Sequence, residues 1–185
     1  MIRGDQHVYQ ILAHLAPQCR SYLGIGVREG ACLMSVVRNA PKLDHIVVCD
    51  TWGNHHGGTG RGSHVHIDVQ LDAQGYAGRR QYLDGDSAIL IPTLLTEPQY
   101  KWYFDMIFVD GNHGYDGALA DLRHTWPLTR QYLLVHDIED SRVWEATKVF
   151  LGEIGHECEV RLCVCTKHVP ATQLTIIVER RHSHG

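Results

Sequence analysis

The sequence predicts an α/β fold: a doubly wound, mostly parallel sheet of about seven strands with helices on both faces and an antiparallel hairpin at the C-terminus. Three observations carry this. Short apolar runs alternate with stretches of helical periodicity from residue 8 to residue 154, the pattern of strands joined by crossover helices. Some of those runs are apolar almost throughout, as in Phe104, Met106, Ile107, Phe108 and Val109, which suits strands covered on both faces. The last two β-rich runs, 157–165 and 173–179, have no helical pattern between them and read as a hairpin.

The elements follow in order. Val8, Ile11, Leu12 and Leu15 recur at helical spacing within an N-terminal helical region, 1–20, that Pro17 ends. Residues 22–25 form the first strand, 26–30 a glycine turn, and 31–39 a helix whose inner side carries Leu33, Val36 and Val37; Pro41 closes it. The second strand, 46–49, ends in Asp50. A glycine- and histidine-rich loop begins there, TWGNHHGGTGRG, and its stretch 51–64 is read as a lid. A helix over 65–74 leads to a third strand, 80–83, then to Gly85, Asp86 and Ser87. The helix over 88–95 contains Pro92, assigned to its first turn, where a missing N–H is harmless. The fourth strand, 104–109, precedes a helix over 115–124, and the fifth, 132–135, precedes one over 143–154.

At 185 residues the chain is expected to be one domain spanning 1–185. It is 44% hydrophobic and 21% charged, with a net charge of −4, and it lacks the basic stripe of a nucleic-acid binder. No apolar run nears the roughly 20 residues that cross a bilayer. The opening MIRGDQHVYQ lacks the apolar core of a signal peptide, so the expectation is a cytoplasmic protein with no nucleic-acid or membrane partner. The six cysteines show no paired-knuckle spacing and read as free, mostly buried thiols. Trp102, Trp126 and Trp144 read as core or helix-packing residues, and Cys163 and Cys165 as core residues on one face of a strand.

Chemistry points to the strand ends. The fourth strand finishes in Asp110, Gly111, Asn112 and His113, and the fifth in His136 and Asp137, at the edge where open α/β sheets bind ligands. Strand, glycine turn, helix, strand, acidic residue is also the plan for holding an adenosine, with Asp50 lying 24 residues after Gly26 and placed to accept both ribose hydroxyls. The turn 24–30, GIGVREG, does not fit G-x-G-x-x-G, which argues against NAD; a glycine turn is also ordinary structural punctuation. His113 is a candidate general base or, alternatively, a residue that caps the next helix or fixes its loop. Zinc binding by His55, His56, His64 and His66 lacks a recognised spacing, and a phosphate cradle at GGTGRGSH lacks the expected lysine.

Taken together, YLGIGVREG (22–30), VVCDTWG (47–53), YLDGDS (82–87), FDMIFVDGNHGYDGALADL (104–122) and LLVHDI (133–138) resemble the class I S-adenosylmethionine-dependent methyltransferases, with their Rossmann-like sheet. More narrowly, they are similar to the small-molecule O-methyltransferase group of macrolide sugar methyltransferases and cephalosporin hydroxylase-type proteins. The resemblance implies that Gly24, Gly26 and Gly30 belong to the cofactor turn, with Gly26 and Gly30 approaching the methionine part. It places Asp50 on the ribose, Thr51 and Trp52 beside the adenosine, Asp86 and Ser87 near the adenine, and Asp110 at the sulfonium. Two positions depart from the family: Gly24 stands where an acid is usual, and Thr129-Arg130-Gln131 where Pro-Gly-Gly is usual.

Related metal-dependent enzymes imply a cation held by Asp110, His136 and Asp137, with Mg²⁺, Mn²⁺, Fe²⁺ or Zn²⁺ as alternatives. A hydrogen-bond network at the strand ends is the other reading of that trio. Asp110 and His113 are then the catalytic pair, acting on the oxygen of a small-molecule acceptor. A non-catalytic S-adenosylmethionine-binding module and a metal-dependent hydrolase or hydroxylase on the same scaffold are the alternatives. A homodimer is expected because few added elements wall the pocket.

Overall fold

The computed structural model describes residues 6–53, 60–164 and 174–181. Seven strands form one sheet: β1 (Ser21–Ile25), β2 (His45–Asp50), β3 (Arg79–Asp84), β4 (Phe104–Val109), β5 (Thr129–Val135), β6 (Cys158–Val164) and β7 (Leu174–Arg180). Their order is β3-β2-β1-β4-β5-β7-β6. β1 to β5 run parallel, while β7 lies antiparallel between β5 and β6. The fold is therefore the doubly wound, Rossmann-like arrangement with a C-terminal antiparallel pair. Six helices flank it: α1 (Gln6–Leu15), α2 (Ala31–Asn39), α3 (His64–Ala73), α4 (Ser87–Leu95), α5 (Tyr115–Thr125) and α6 (Ser141–Ile154).

The continuous apolar strands are explained by two cores, one on each face. Leu23, Ile25, Val47, Ile107, Val109, Leu133 and Val135 point to α4, α5 and α6, where Ile91, Leu122 and Phe150 meet them. Tyr22, Ile46, Val48, Met106, Phe108 and Leu134 point the other way, onto Leu12 of α1, Leu33 of α2 and Ile67 of α3. Each large side chain so buried contributes about 1.5–3 kcal/mol. Helix starts are set by short polar side chains: Ser63 Oγ accepts the His66 N–H at 3.1 Å, and the carboxylates of Asp86 and Asp140 accept from Ala88 and Arg142, both at 2.9 Å.

Several expectations are corrected. Pro92 lies past the first turn of α4, because Asp86 caps the helix and makes Ser87 its first residue; the N–H that would bond the Ala88 carbonyl is missing. β5 begins at Thr129, opposite Phe104, rather than at Tyr132. Trp126 is buried as expected, but Trp102 is 53% exposed and Trp144 37%. Lys101 and Arg180 lie over the exposed Trp102 ring. Cys19, Cys49 and Cys158 are buried free thiols and Cys32 is half-buried; Cys165 and the side chain of Cys163 lie outside the described residues. Among the described residues no helix is long and apolar enough to cross a membrane.

Candidate active site

From β1 the sheet grows in opposite directions, to β2 and β3 on one side and to β4 and β5 on the other, so a crevice opens beyond the carboxyl ends of β1 and β4. The strand ladder continues into the turns that line it. Gly26 N–H donates to the Cys49 carbonyl at 3.0 Å, Asp110 N–H to Ile25 at 2.9 Å, and His136 N–H to Val109 at 3.1 Å. Gly85 N–H donates to Asp50 at 2.9 Å. Gly26, Asp50, Gly85, Asp110 and His136 thereby share one rim.

Glycine is required at two points of that rim. Gly26 has φ +73°, and a Cβ there would stand 2.0 Å from the Asp110 carbonyl oxygen; Gly30, at φ +86°, begins α2 against Ile67. A Cβ on Gly24 would press on Val27 and Tyr22, and of the three glycines Gly26 alone lines the two cavities, Gly24 and Gly30 lining neither.

The first cavity, ≈ 720 Å³ out to its mouth, is walled by Gly26, Asp50, Thr51, Trp52, Asp86, Ser87, Asp110 and His113, with Gly60 and Gly62 from the far side of the loop. Asp50 is braced from two sides: Arg28 N–H donates to Oδ2 at 2.8 Å and Trp52 N–H to Oδ1 at 2.7 Å. Each oxygen keeps a lone pair for a ligand hydroxyl. Trp52 is aimed by its indole N–H, which donates to Asp84 at 2.8 Å, and Asp84 in turn faces His64 Nδ1 at 3.1 Å. A second cavity, ≈ 650 Å³, adjoins the first through Gly26, Arg28 and Asp110 and reaches Tyr9, Tyr22, Glu29, His136 and Asp137. Arg28, Trp52 and Asp137 all hold positive φ, which puts three of the four non-glycine cases among the described residues at this rim.

Asp110, His113, His136 and Asp137 converge between the cavities. His113 Nε2 lies 3.6 Å from Asp110 and 3.7 Å from Asp137; His136 Nδ1 lies 3.4 Å from Asp110 and 2.9 Å from Asp137. Burial works against the charge on Asp110, but the two imidazoles facing it outweigh burial and hold the carboxyl below its ordinary value. The Asp110 carboxylate beside it raises His113 above 6.5. Burial opposes the His136 charge, yet the two carboxylates lift it to about 10, so without another cation its ring sits between them as an imidazolium. Asp110, His113 and Asp137 each present a ligand atom within 4.8 Å of the others, a set able to share one metal ion. His113 does not cap α5; Gly114 holds that position.

The structure thus brings Asp50, Thr51, Trp52, Asp86, Ser87, Asp110 and His113 around one cavity, and His136 and Asp137 to its neighbour. Asp86 spends one carboxylate oxygen on the α4 cap. Two residues were missed. Asp84, at the end of β3, was signalled by its place in YLDGDS. Asp121 is signalled by a carboxylate on the inner side of α5, three residues after the buried Ala118. His55 and His56 lie outside the described residues, as does 54–59 of the lid; His64 pairs with Asp84 and His66 is exposed on α3.

A family model described as "Methyltransferase domain" matches residues 23–138. Among curated proteins no sequence matches significantly. Solved structures do resemble the chain. Cofactor-bound Rv0187 from MTB has a TM-score of 0.68 at 20% identity, over 98% of this chain and 83% of that one. An O-methyltransferase from Bacillus cereus in complex with SAH gives 0.67 at 14%, over 98% and 83%. The O-methyltransferase TomG from Streptomyces achromogenes, involved in tomaymycin synthesis and solved with SAM, gives 0.67 at 17%, over 98% and 82%. At these identities the likeness is one of fold. On the match across 23–138, the chain belongs to the methyltransferase-domain family, and it is a class I S-adenosylmethionine-dependent methyltransferase.

Proposed function

We propose that this chain transfers a methyl group from S-adenosylmethionine to an oxygen of a small molecule at the junction of the two cavities. The observation that carries the reading is the braced Asp50 carboxylate in a cavity whose other end holds the Asp110–His113 pair. When bound, S-adenosylmethionine supplies an electrophilic methyl carbon on a sulfonium. Asp50 would accept its ribose hydroxyls, Thr51 and Trp52 would wall the adenosine, Asp86 and Ser87 would border the adenine, and Gly26 and Gly30 would leave room for the methionine part. Two of the similar structures are O-methyltransferases, one of them of a small-molecule pathway, which supports oxygen as the acceptor atom.

Methyl displacement needs little covalent help, so the chain's main task is to hold acceptor and cofactor in line. Its second task is to take the hydroxyl proton. His113, the imidazole that lines the first cavity, is suited to this once deprotonated, a contribution of about 10²–10⁴ in rate. Asp110 orients it and favours the imidazolium that results.

The donor set also fits a divalent cation, which would be held by Asp110 and Asp137 with His113 or His136 as the third ligand. A bound cation supplies Lewis acidity toward the acceptor oxygen. Two carboxylates and an imidazole suit Mn²⁺, Fe²⁺ or Zn²⁺ better than Mg²⁺.

The test is transfer of isotope-labelled methyl from S-adenosylmethionine to a panel of hydroxylated acceptors, with and without chelator and added Mn²⁺. Labelled ether product is expected, and loss on chelation assigns the cation. Cofactor binding without transfer to any acceptor would favour a binding module, and turnover without cofactor would favour a hydrolase or hydroxylase.

A further inference from the structure

Asp121 lies on the inner face of α5 and is 1% exposed, between Ala118, Leu122 and Thr125. Among the described residues it is the one carboxylate whose two oxygens are both buried without a hydrogen bond of normal geometry. Its Oδ2 stands 3.0 Å from where a Cβ on Gly111 would be, so the residue after Asp110 rests directly on it. The donors that reach toward it are the Ser87 hydroxyl and the Asn112 backbone N–H, which only partly offset burial; the carboxyl is pushed up to about 7. Ser87, Gly111 and Asn112 all wall the first cavity. An apolar side chain would pack in this layer without the cost of burying a carboxyl. The placement therefore serves the groups above it.

We propose that Asp121 is a positioning residue that ties the turn carrying Asp110 and His113 to Ser87 at the start of α4, so that the cofactor wall and the reacting cluster are set by one buried carboxyl. Gly111 is the contact that transmits this placement, since its lack of a side chain lets the turn settle on Asp121 and Ile25. Asp121 touches neither cofactor nor acceptor; it acts through Asn112 and Ser87. The inference rests on the methyl-transfer reading for its catalytic readout and on geometry alone for its local one.

The full chain carrying Asp121→Ala, Asp121→Asn or Ser87→Ala tests this. Asp121→Ala is expected to lower kcat by about 10²-fold and SAH affinity by about 10-fold through loss of alignment, with the acceptor KM little changed. Asp121→Asn keeps an oxygen for the Asn112 N–H and an amide for Ser87, and should recover both to within about 3-fold. Hydrogen exchange over 111–114 should quicken in Asp121→Ala and not in Asp121→Asn. A folded Asp121→Ala that melts lower but keeps wild-type kcat, SAH affinity and exchange over 111–114 would overturn the proposal. If Asp121→Ala does not fold, the cycle of Asp121→Asn with Ser87→Ala replaces it. Coupling of at least about 3-fold in SAH affinity is then expected, and strict additivity would overturn it. Failure of the wild type to bind SAH would count against the methyl-transfer reading, while the exchange experiment still judges the tie.

Discussion

Asp105 and Asp110 stand at opposite ends of the same strand, and their surroundings have little in common. Asp105, near the start of β4, is 1% exposed and fully occupied: the Arg20 N–H donates to it at 2.7 Å, the Ser21 N–H and hydroxyl at 3.3 Å, and the Arg130 guanidinium closes the set. It staples the beginnings of β1, β4 and β5. Asp110, just past the end of β4, faces two imidazoles at 3.4 and 3.6 Å. Strain divides the same way among the described residues, with Arg28, Trp52 and Asp137 holding positive φ at the upper edge and Trp102 alone at the lower. One edge of the sheet satisfies its charges and gains stability; the other leaves lone pairs and backbone strain available to a ligand.

The widest separation is expected from substituting the two aspartates in parallel. Asp110→Ala should lower methyl transfer by about 10³-fold while costing no more than about 2 kcal/mol in unfolding free energy, because Asp137 still pairs with His136 at 2.9 Å. Asp105→Ala should cost about 2–5 kcal/mol in urea denaturation, because it leaves the Arg20 and Ser21 N–H donors unpaired while the half-exposed Arg130 turns to water, and should leave kcat of the folded fraction unchanged. Loss of turnover without loss of stability in Asp105→Ala would break the contrast.

His113→Gln sharpens it within the upper edge. A fall in kcat of about 10²–10⁴ is expected. The base must be neutral and the neighbouring Asp110 carboxylate raises it, so wild-type rate should climb with pH through a limb above 6.5, and that limb should vanish in the variant. Asp50→Asn is expected to weaken SAH binding by about 10–100-fold, the worth of charged hydrogen bonds, with kcat at saturation nearly unchanged.

A stability effect is expected at Asp121, whose carboxyl is raised in the folded chain to about 7 from the ordinary 3.8. Between those values the folded state holds a proton that the unfolded state has released, so this group's contribution is full below pH 4 and is lost as pH rises through 7. Asp121→Asn, always neutral, should therefore gain on wild type by about 2–4 kcal/mol between pH 4 and pH 8 in denaturant midpoints, less whatever local relaxation recovers. Identical pH profiles would show that the Asp121 carboxyl keeps its ordinary value in the folded chain.

Local patterns made much of this legible. The succession of strands and helices up to β5, the glycine turn at Gly26 and the aspartates that end strands all follow from short stretches whose periodicity and turn chemistry are contained in a dozen residues. The pairing of Asp105 with Arg130, 25 residues on, was not legible, because nothing local marks either as the other's partner. Neither was the brace from Trp52 to Asp84, 32 residues away. Arg130 had stood out only as a departure from Pro-Gly-Gly, and it extends β5 back to Thr129 while neutralising Asp105. Pro92 was misplaced because the start of α4 depends on which polar residue caps it. The direction of the His136 ring, toward two carboxylates rather than solvent, is likewise a product of tertiary packing.

Calorimetric titration of the wild-type chain with SAH decides whether the upper rim holds a nucleoside. One ligand per chain with saturable heat is expected, displaced by S-adenosylmethionine and weakened in Asp50→Asn. No detectable heat at about 1 mM ligand, corresponding to binding weaker than about −4 kcal/mol, would contradict the assignment of the rim.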